Sequence, residues 1–498
     1  MPAEMFPFMR TLSLRLLTAV LILVSAVSAQ DANRARDKDR KAGGKDGRKG
    51  GAGVEPAVVP EYRFNTWLCR PGADAVTVSV IAWEPMEVFI AYGENPQALS
   101  RRTETLALNP GEPRNLVLSG LRADAAHAYQ LTTRAPSGPE VADTVRRFHT
   151  QRAPGSAFTF VIQSDSHLDT NTDVRVYRQT LANMLEKRPD FMVDLGDTTM
   201  VDKFGRLFTK AELQYLAQRY HIGLVAHSTP IFLVLGNHDG EKAERLDGGP
   251  NSMPLWSLAR RKKYFPNPEP GGIYTGNATP FGNAGLLQNY YAWEWGDAQF
   301  IVLDPFWATE RERGGGDNWN RTLGEAQYRW LTRTLEGSRA RYRFVFLHHL
   351  IGGLDRDVRG GIVNVPYLEW GGRNSDGTDG FARHRPGWPL PIHQLLLKHG
   401  VSAVFHGHDH MYVREEADGI VYQEVPQPGH PNGHTRSAVD YRYQGEVRPA
   451  SGHLRVTVAP EAAKVEYVFT TVPGVTGSRL PNGSIQHSYS IAPRPPKL

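Results

Sequence analysis

Cysteine is the scarcest residue in this chain of 498 residues, present once, at Cys69. A single thiol excludes an intramolecular disulfide and any multi-thiolate metal site. Stability therefore has to come from core burial, and a bound metal has to be held mainly by nitrogen and oxygen. Long apolar runs are almost as rare. The one candidate is residues 16–27, preceded by Arg10 and Arg15 and ending near the small-residue triplet Val27-Ser28-Ala29. That order predicts a secretory signal peptide over residues 1–29 and a secreted or periplasmic protein, with an uncleaved N-terminal anchor as the alternative. No later stretch is long and apolar enough to span a bilayer, so no membrane span is expected after cleavage. Net charge is also missing from most of the chain. The formal +5 lies in residues 1–50, and residues 51–498 carry equal numbers of acidic and basic side chains. A balanced folded region lacks the electrostatic footprint of a nucleic-acid binder, and no nucleic-acid partner is expected.

What is present divides the chain. Residues 30–59 are rich in Gly, Lys, Arg and Asp and read as a disordered charged linker. Residues 60–150 are all-β in pattern. Val76, Val78, Val80 and Ala82 alternate, Val88, Ile90 and Tyr92 follow a Glu-Pro turn, and short runs recur at 115–118, 128–133 and 144–149. Several short strands separated by turn signals predict a small β-sandwich, with Tyr129 and Leu131 facing its core. After a linker at 151–156 the period changes. Strands are expected at 158–163, 191–195, 231–235, 299–303, 344–347 and 401–405. Helices are expected at 173–187, near 210–220, after the capping box Thr322-Leu-Gly-Glu325, and at 392–398. Repeated strand–helix units predict a layered α/β domain over 157–412. Residues 413–498 return to β character and are expected to add edge strands and a tail.

The chemistry sits where five of these strands end. Residues 158–167 read Phe-Thr-Phe-Val-Ile-Gln-Ser-Asp-Ser-His, which brings Asp165 and His167 just past a buried strand. Side chains two apart point the same way in extended chain, so both can reach one ion. Gly196-Asp197 follows the next strand, then Gly236-Asn237-His238-Asp239, then His348-His349, and finally His406-Gly407-His408-Asp409-His410. Each segment alone has an ordinary explanation: Asp as a cap, Asn-His as a turn, a His as a buried polar group. Yet seven of the 18 histidines fall in these five short segments, all at strand C-termini, where open α/β sheets bind ligands. Together they point to a metal site.

The ordered set Asp-x-His, Gly-Asp, Gly-Asn-His-Asp, His-His and Gly-His-x-His resembles the calcineurin-like metallophosphoesterases, and the preceding sandwich resembles the N-terminal domain of purple acid phosphatases. The resemblance spans roughly residues 60–470. It implies a four-layer α/β/β/α catalytic domain after a fibronectin III-like sandwich, with two divalent metal ions at the sheets' C-terminal edge. It further implies that Asp165, His167 and His410 bind one ion, that Asn237, His348 and His408 complete the other, and that Asp197 bridges both. A hydroxide shared by the ions is then expected to attack phosphorus in line. His238 is placed to stabilise the transition state or protonate the leaving oxygen, with Asp239 orienting it. His349 and His406 are expected to support the ligands rather than coordinate.

Purple acid phosphatases carry a tyrosine ligand shortly after Gly-Asp, where this chain has Met200. Mn, Fe or Zn all remain open as the metals. A long insertion at 351–391 holds Arg359 and Arg373, which suit a phosphate, although a solvated surface loop explains them equally. Three Asn-x-Ser/Thr triplets, at Asn277, Asn320 and Asn482, match glycosylation acceptors. The expectation is a secreted dinuclear hydrolase of phosphate esters. A phosphodiesterase or nucleotide-directed hydrolase on the same site is the first alternative, and a surface binding protein with a vestigial metal site the second.

Overall fold

The computed structural model describes residues 55–310, 318–352 and 358–494. The expected signal peptide and nearly all of the charged linker lie outside the described residues. Two large sheets stack face to face behind an N-terminal sandwich. The first has six strands in the order Ile231–Leu233, Phe191–Asp194, Phe158–Gln163, Gly452–Val458, Ala463–Phe469, Ile485–Ile491. Its first three strands are parallel, and Gly452–Val458 runs antiparallel beside Phe158–Gln163. The second has eight strands, with a parallel centre formed by Ala298–Val302, Tyr342–Phe346, Ala403–His406 and Ile420–Glu424.

Alternation within each strand sets the layers. Phe158, Phe160 and Ile162 face the opposite sheet, together with Phe191, Val193, Phe300, Phe344, Phe346 and Phe405. The intervening Val161 and Met192 face outward into a separate cluster with Tyr177, Leu181, Tyr215 and Ile222. Those outer residues belong to the helices Val174–Leu185 and Phe208–Ala226, which cover the first sheet. Val345 and Val404 play the same part in the second sheet, under the helices Gly324–Gly337 and Ile392–Lys398. Both faces of the central strands are therefore buried, which is why they read as unbroken apolar runs rather than alternating ones. Each fully buried side chain of this kind contributes about 1.5–3 kcal/mol.

The expected α/β/β/α arrangement is thus observed, with two local differences. The C-terminal segment supplies more than edges: Gly452–Val458 is an interior strand, and with its two successors it makes half of the first sheet. The capping box at Thr322 does not close. Glu325 turns to Arg329, and the buried Glu369 from the insertion takes its place, accepting from Leu323 N at 2.8 Å and from the Thr322 hydroxyl at 2.5 Å. The amide nitrogens of Asn277, Asn320 and Asn482 donate to Asn289, the Glu310 carbonyl and Asn183. Among the described residues no helix is long and apolar enough to cross a membrane.

The sandwich has Phe64–Cys69, Ala75–Ala82 and Arg114–Ser119 in one sheet and Met86–Gly93 with Ala126–Arg134 at the centre of the other. Val76, Val78, Val80, Ile90, Tyr129 and Leu131 fill its interior. The other face of the first sheet, through Trp67, Cys69 and Ile81, packs on the helix Phe208–Ala226. Burial there pushes the Cys69 thiol up to about 12, so it behaves as an inert apolar group. Arg219 crosses the same seam fully buried, donating to Asn65 Oδ1 at 3.1 Å, to the Ser79 carbonyl at 2.8 Å and to the Tyr264 carbonyl. Burial lowers its pKa to about 10, and the acceptors around it hold the charge in place. Replacing Arg219 with Leu leaves those acceptors unsatisfied and is expected to cost about 3 kcal/mol, read from urea midpoints.

His453 supplies a pH term. It is fully buried in Gly452–Val458, neither ring nitrogen has a hydrogen-bond partner among the described residues, and burial lowers its pKa to about 3. The unfolded chain binds this proton near the ordinary histidine value of about 6.5, so stability is complete above that pH and declines as pH falls from there toward 3. His453→Leu is expected to flatten this part of the pH–stability curve, measured by urea midpoints at pH 7 and pH 5.

Candidate metal centre

The five turns meet at one edge of the stacked sheets. Backbone packs on backbone there, and glycine makes it possible. A Cβ on Gly236 would lie 1.9 Å from Asp197 N, and one on Gly407 would lie 1.8 Å from Ser164 Oγ. Asp165, Asp197, His408 and His410 all have positive φ, at 56°, 51°, 86° and 63°. Four non-glycine residues in the left-handed region within one site mark a conformation that the surrounding fold imposes.

Their ligand atoms form two groups, each with its atoms within 4.8 Å of one another: Asp165, His167 and His410, and Asp197, His348 and His408. In the first, His167 Nε2 is 3.3 Å from His410 Nε2, which is 3.4 Å from Asp165 Oδ1. In the second, His348 Nε2 lies 3.3 Å from Asp197 Oδ2, 3.3 Å from His408 Nδ1 and 2.9 Å from Asn237 Oδ1. The groups adjoin, since His348 Nε2 is 4.0 Å from Asp165 Oδ1. All seven residues expected as ligands are therefore gathered, Asn237 through its contact with His348.

Hydrogen bonds fix which atoms face inward. His348 Nδ1 donates to the Leu195 carbonyl at 3.0 Å, which turns Nε2 toward the acidic groups. Asp165 Oδ2 accepts from His408 N and from the Ser164 hydroxyl, whereas the buried Oδ1 has no hydrogen-bond partner among the described residues. Carboxylate and imidazole lone pairs thus converge with too few protons to share. On Asp165, Asp197 and His348 burial opposes charge, but proximity wins, whereas burial keeps the His408 imidazole well below its ordinary value. His410 and His348 bring Asp165 down to about 2, His348 and His238 hold Asp197 well below the carboxylate range, and Asp197 and Asp165 raise His348 to about 9. A divalent cation among the same atoms meets the same demand, and this nitrogen and oxygen donor set suits Mn, Fe or Zn.

The neighbours of His238 differ from expectation. Its Nδ1 lies 2.9 and 3.1 Å from the two oxygens of Asp202, a residue that sequence reasoning missed. Asp239 does not orient His238. Its carboxylate accepts the N–H groups of Gly236, Asp197, Thr198 and Thr199 and the Thr199 hydroxyl, clamping the two Gly-containing turns together. Burial and then the adjacent Asp197 push its pKa up. No local signal ties Asp202 to His238, because they come from different turns. His349 packs on the rings of His408 and Phe306, and burial, then His348, keeps its pKa well below the ordinary value. His406 Nδ1 lies 2.6 Å from Glu424 Oε2. Both sit behind the converging atoms. Arg359 donates to Asp409 Oδ1 at 2.9 Å and to the His408 carbonyl at 3.2 Å, and Asp409 also accepts from Gly360 N and the Tyr443 hydroxyl. Arg373 is exposed on a turn whose backbone pairs with Pro366 and Leu368. Met200 is buried beside the Gly-Asp turn with φ 46°.

Two stacked sheets that bring Asp, Asn and His to one edge in this way define a metal-dependent hydrolase of phosphoesters. The family model for calcineurin-like phosphoesterases matches residues 158–412, and the chain belongs to that family. No curated protein sequence matches it. Among solved structures, PhoD superposes with a TM-score of 0.59 at 13% identity, covering 89% of this chain and 91% of its own. Purple acid phosphatase PPD1 from yellow lupin (Lupinus luteus) seeds superposes with a TM-score of 0.53 at 14% identity, covering 88% of this chain and 74% of its own. Both likenesses support the fold, sandwich included.

The two carboxylates near His238 should separate in experiment. Asp239→Asn replaces one carboxylate oxygen with a donor, taking the acceptor from two of the four backbone N–H groups, and is expected to lower stability by about 2–3 kcal/mol together with metal retention, whereas Asp202→Asn lowers neither appreciably. Thermal melts and metal analysis of the two purified variants provide the check.

Proposed function

We propose that the chain is an exported dinuclear phosphoesterase. Asp165, His167 and His410 hold one divalent ion, Asn237, His348 and His408 hold the other, and Asp197 is shared between them. The observation that supports this reading best is the convergence of buried ligand atoms, above all Asp165 Oδ1, which no hydrogen bond satisfies among the described residues, with His348 Nε2 4.0 Å from it. Export rests on residues 1–29, the tether on 30–59, and the division into a sandwich at 60–150, a catalytic unit at 157–412 and a β extension at 413–498 on the change of strand pattern.

Divalent ions in such a site stabilise charge on phosphoryl oxygens and lower the pKa of water. The chain's own residues do the rest. Asp202 holds the His238 ring by Nδ1, so Nε2 is left to give a proton to the leaving oxygen or to steady the developing charge. Asp239 keeps the Asp197 and Asn237 turns in register. In this reading Arg359, anchored on Asp409 and the His408 carbonyl, is the insertion arginine that meets substrate phosphate. Met200 in place of a tyrosine ligand means no strong visible charge-transfer band in purified enzyme. A vestigial binding protein is disfavoured because no member of the donor set is missing.

Protein loaded with Mn, Fe or Zn should hydrolyse p-nitrophenyl phosphate, with bis(p-nitrophenyl) phosphate reporting diesterase activity. Asp197→Asn and His348→Ala should each lose metal and lower kcat by at least about a thousandfold. No turnover of either ester in any metal form overturns the proposal. Asp202→Asn should keep its metal and lower kcat by about ten- to a hundredfold.

A further inference from the structure

Beyond the Gly-Asn-His-Asp turn the chain continues to place charge at the rim of the site. Lys242 precedes the helical turn Ala243–Arg245, and Arg245 N donates back to the Lys242 carbonyl at 3.0 Å. Arg245 Nη1 lies 3.1 Å from Asp202 Oδ2, and Oδ1 of that same carboxylate is 2.9 Å from His238 Nδ1. The Arg245 side chain is 42% exposed and that of Asp202 only 5%, so the guanidinium stands at the mouth with the carboxylate beneath it. The Lys242 ammonium acts electrostatically on Asp202, Asp197 and His349, with Glu244 beside it. Burial, with Arg245 close by, works against that charge and lowers its pKa. Arg245 is thus fixed on the flank of His238 through a carboxylate that it shares with the imidazole, and Lys242, three positions before it, brings a second cation to the same carboxylate's surroundings. The opposite flank differs: Asp169 lies 3.3 Å from His167 Nδ1, and His430, its Nδ1 accepting from Asn432 N at 3.1 Å, interacts with His410 and Asp169.

We infer that this site takes a phosphoester or phosphoanhydride whose leaving group itself carries a phosphate. The inference rests on the phosphoesterase reading above. In the hydrolysis, a water oxygen forms a new bond to phosphorus and the bond from phosphorus to the leaving oxygen breaks. The electron pair stays on that oxygen, His238 can return a proton to it, and the proton of the attacking water passes to solvent. The leaving group departs on the His238 flank, past Lys242 and Arg245. A neutral alcohol gains little from two cations there. A second phosphate gains two charge-assisted contacts at the moment its negative charge grows.

AMP and ADP make a matched pair, because loss of the terminal phosphoryl group leaves neutral adenosine from the first and a phosphate-bearing nucleotide from the second. Inorganic pyrophosphate offers the second phosphate without the nucleoside and tells an anhydride preference from a nucleotide preference. Wild-type enzyme is expected to show kcat/KM for ADP at least about tenfold above that for AMP. Lys242→Ala and Arg245→Ala should each lower the ADP/AMP ratio several-fold, Lys242→Arg should restore most of it, and added salt should compress it. An ADP/AMP ratio near one, or a ratio that both alanine variants leave unchanged, overturns the inference even if both nucleotides are hydrolysed. Absence of turnover for AMP, ADP and p-nitrophenyl phosphate alike overturns the phosphoesterase reading instead.

Discussion

The structure depends on holding several buried acceptor groups closer together than they would tolerate alone. His348 Nε2 is within 3.3 Å of a carboxylate oxygen and of another imidazole nitrogen, and 2.9 Å from an amide oxygen. An arrangement of this kind costs free energy in a metal-free protein, through desolvation and lone-pair crowding, and the surrounding fold has to supply it. The aromatic layer between the sheets does so. Phe160, Phe191, Phe300, Phe344 and Phe346 make a set of edge and stacked contacts with centroids 5.0–6.3 Å apart, directly below the strand ends that carry the donors. A rigid base lets the turns above adopt left-handed backbone without relaxing.

The turns are then locked to one another rather than to their own strands. Asp239 fastens the Asn237 turn to the Asp197 turn through backbone N–H groups. Asp165 Oδ2 fastens the first turn to the last through His408 N, and Glu424 accepts from Asp409 N while meeting His406. Each clamp is a buried carboxylate that accepts at least one donor from a different segment. The clamping residues come from the motif turns, from the insertion and from the C-terminal strands, so the geometry of the site is a property of nearly the whole chain.

This explains which parts could be read from sequence. The convergence of the expected ligands was legible because each follows an apolar strand, and strand ends are recognisable from composition and turn residues. A layered α/β domain followed from the strand–helix alternation, and its four-layer order from the resemblance to the phosphoesterases. Partners across turns were not legible. Asp202 lies five positions past Asp197 on a short helical turn, with nothing in the spacing to connect it to His238. Asp239, beside His238 in sequence, looked like its partner, yet its side chain turns toward backbone donors. Glu369 replaced the expected Glu325 as a helix cap for the same reason: a buried carboxylate from a distant loop competes better for N–H donors than an exposed one that can pair with Arg329.

The C-terminal strands make the point most sharply. The family match ends at residue 412, but Phe158–Gln163, the strand that delivers Asp165 and His167, has Gly452–Val458 as one of its two neighbours. Without that neighbour the strand becomes an edge, and the inner faces of Phe158 and Phe160 lose Leu454 and Val456 from their cluster. Glu424, which anchors the His406 turn and the Asp409 amide, lies beyond the same boundary. A segment cut at the edge of the motif region would keep every expected ligand and still lack the strand and the carboxylate that hold them in place. The motifs therefore specify the chemistry of the centre, while its geometry belongs to residues that follow them in the chain.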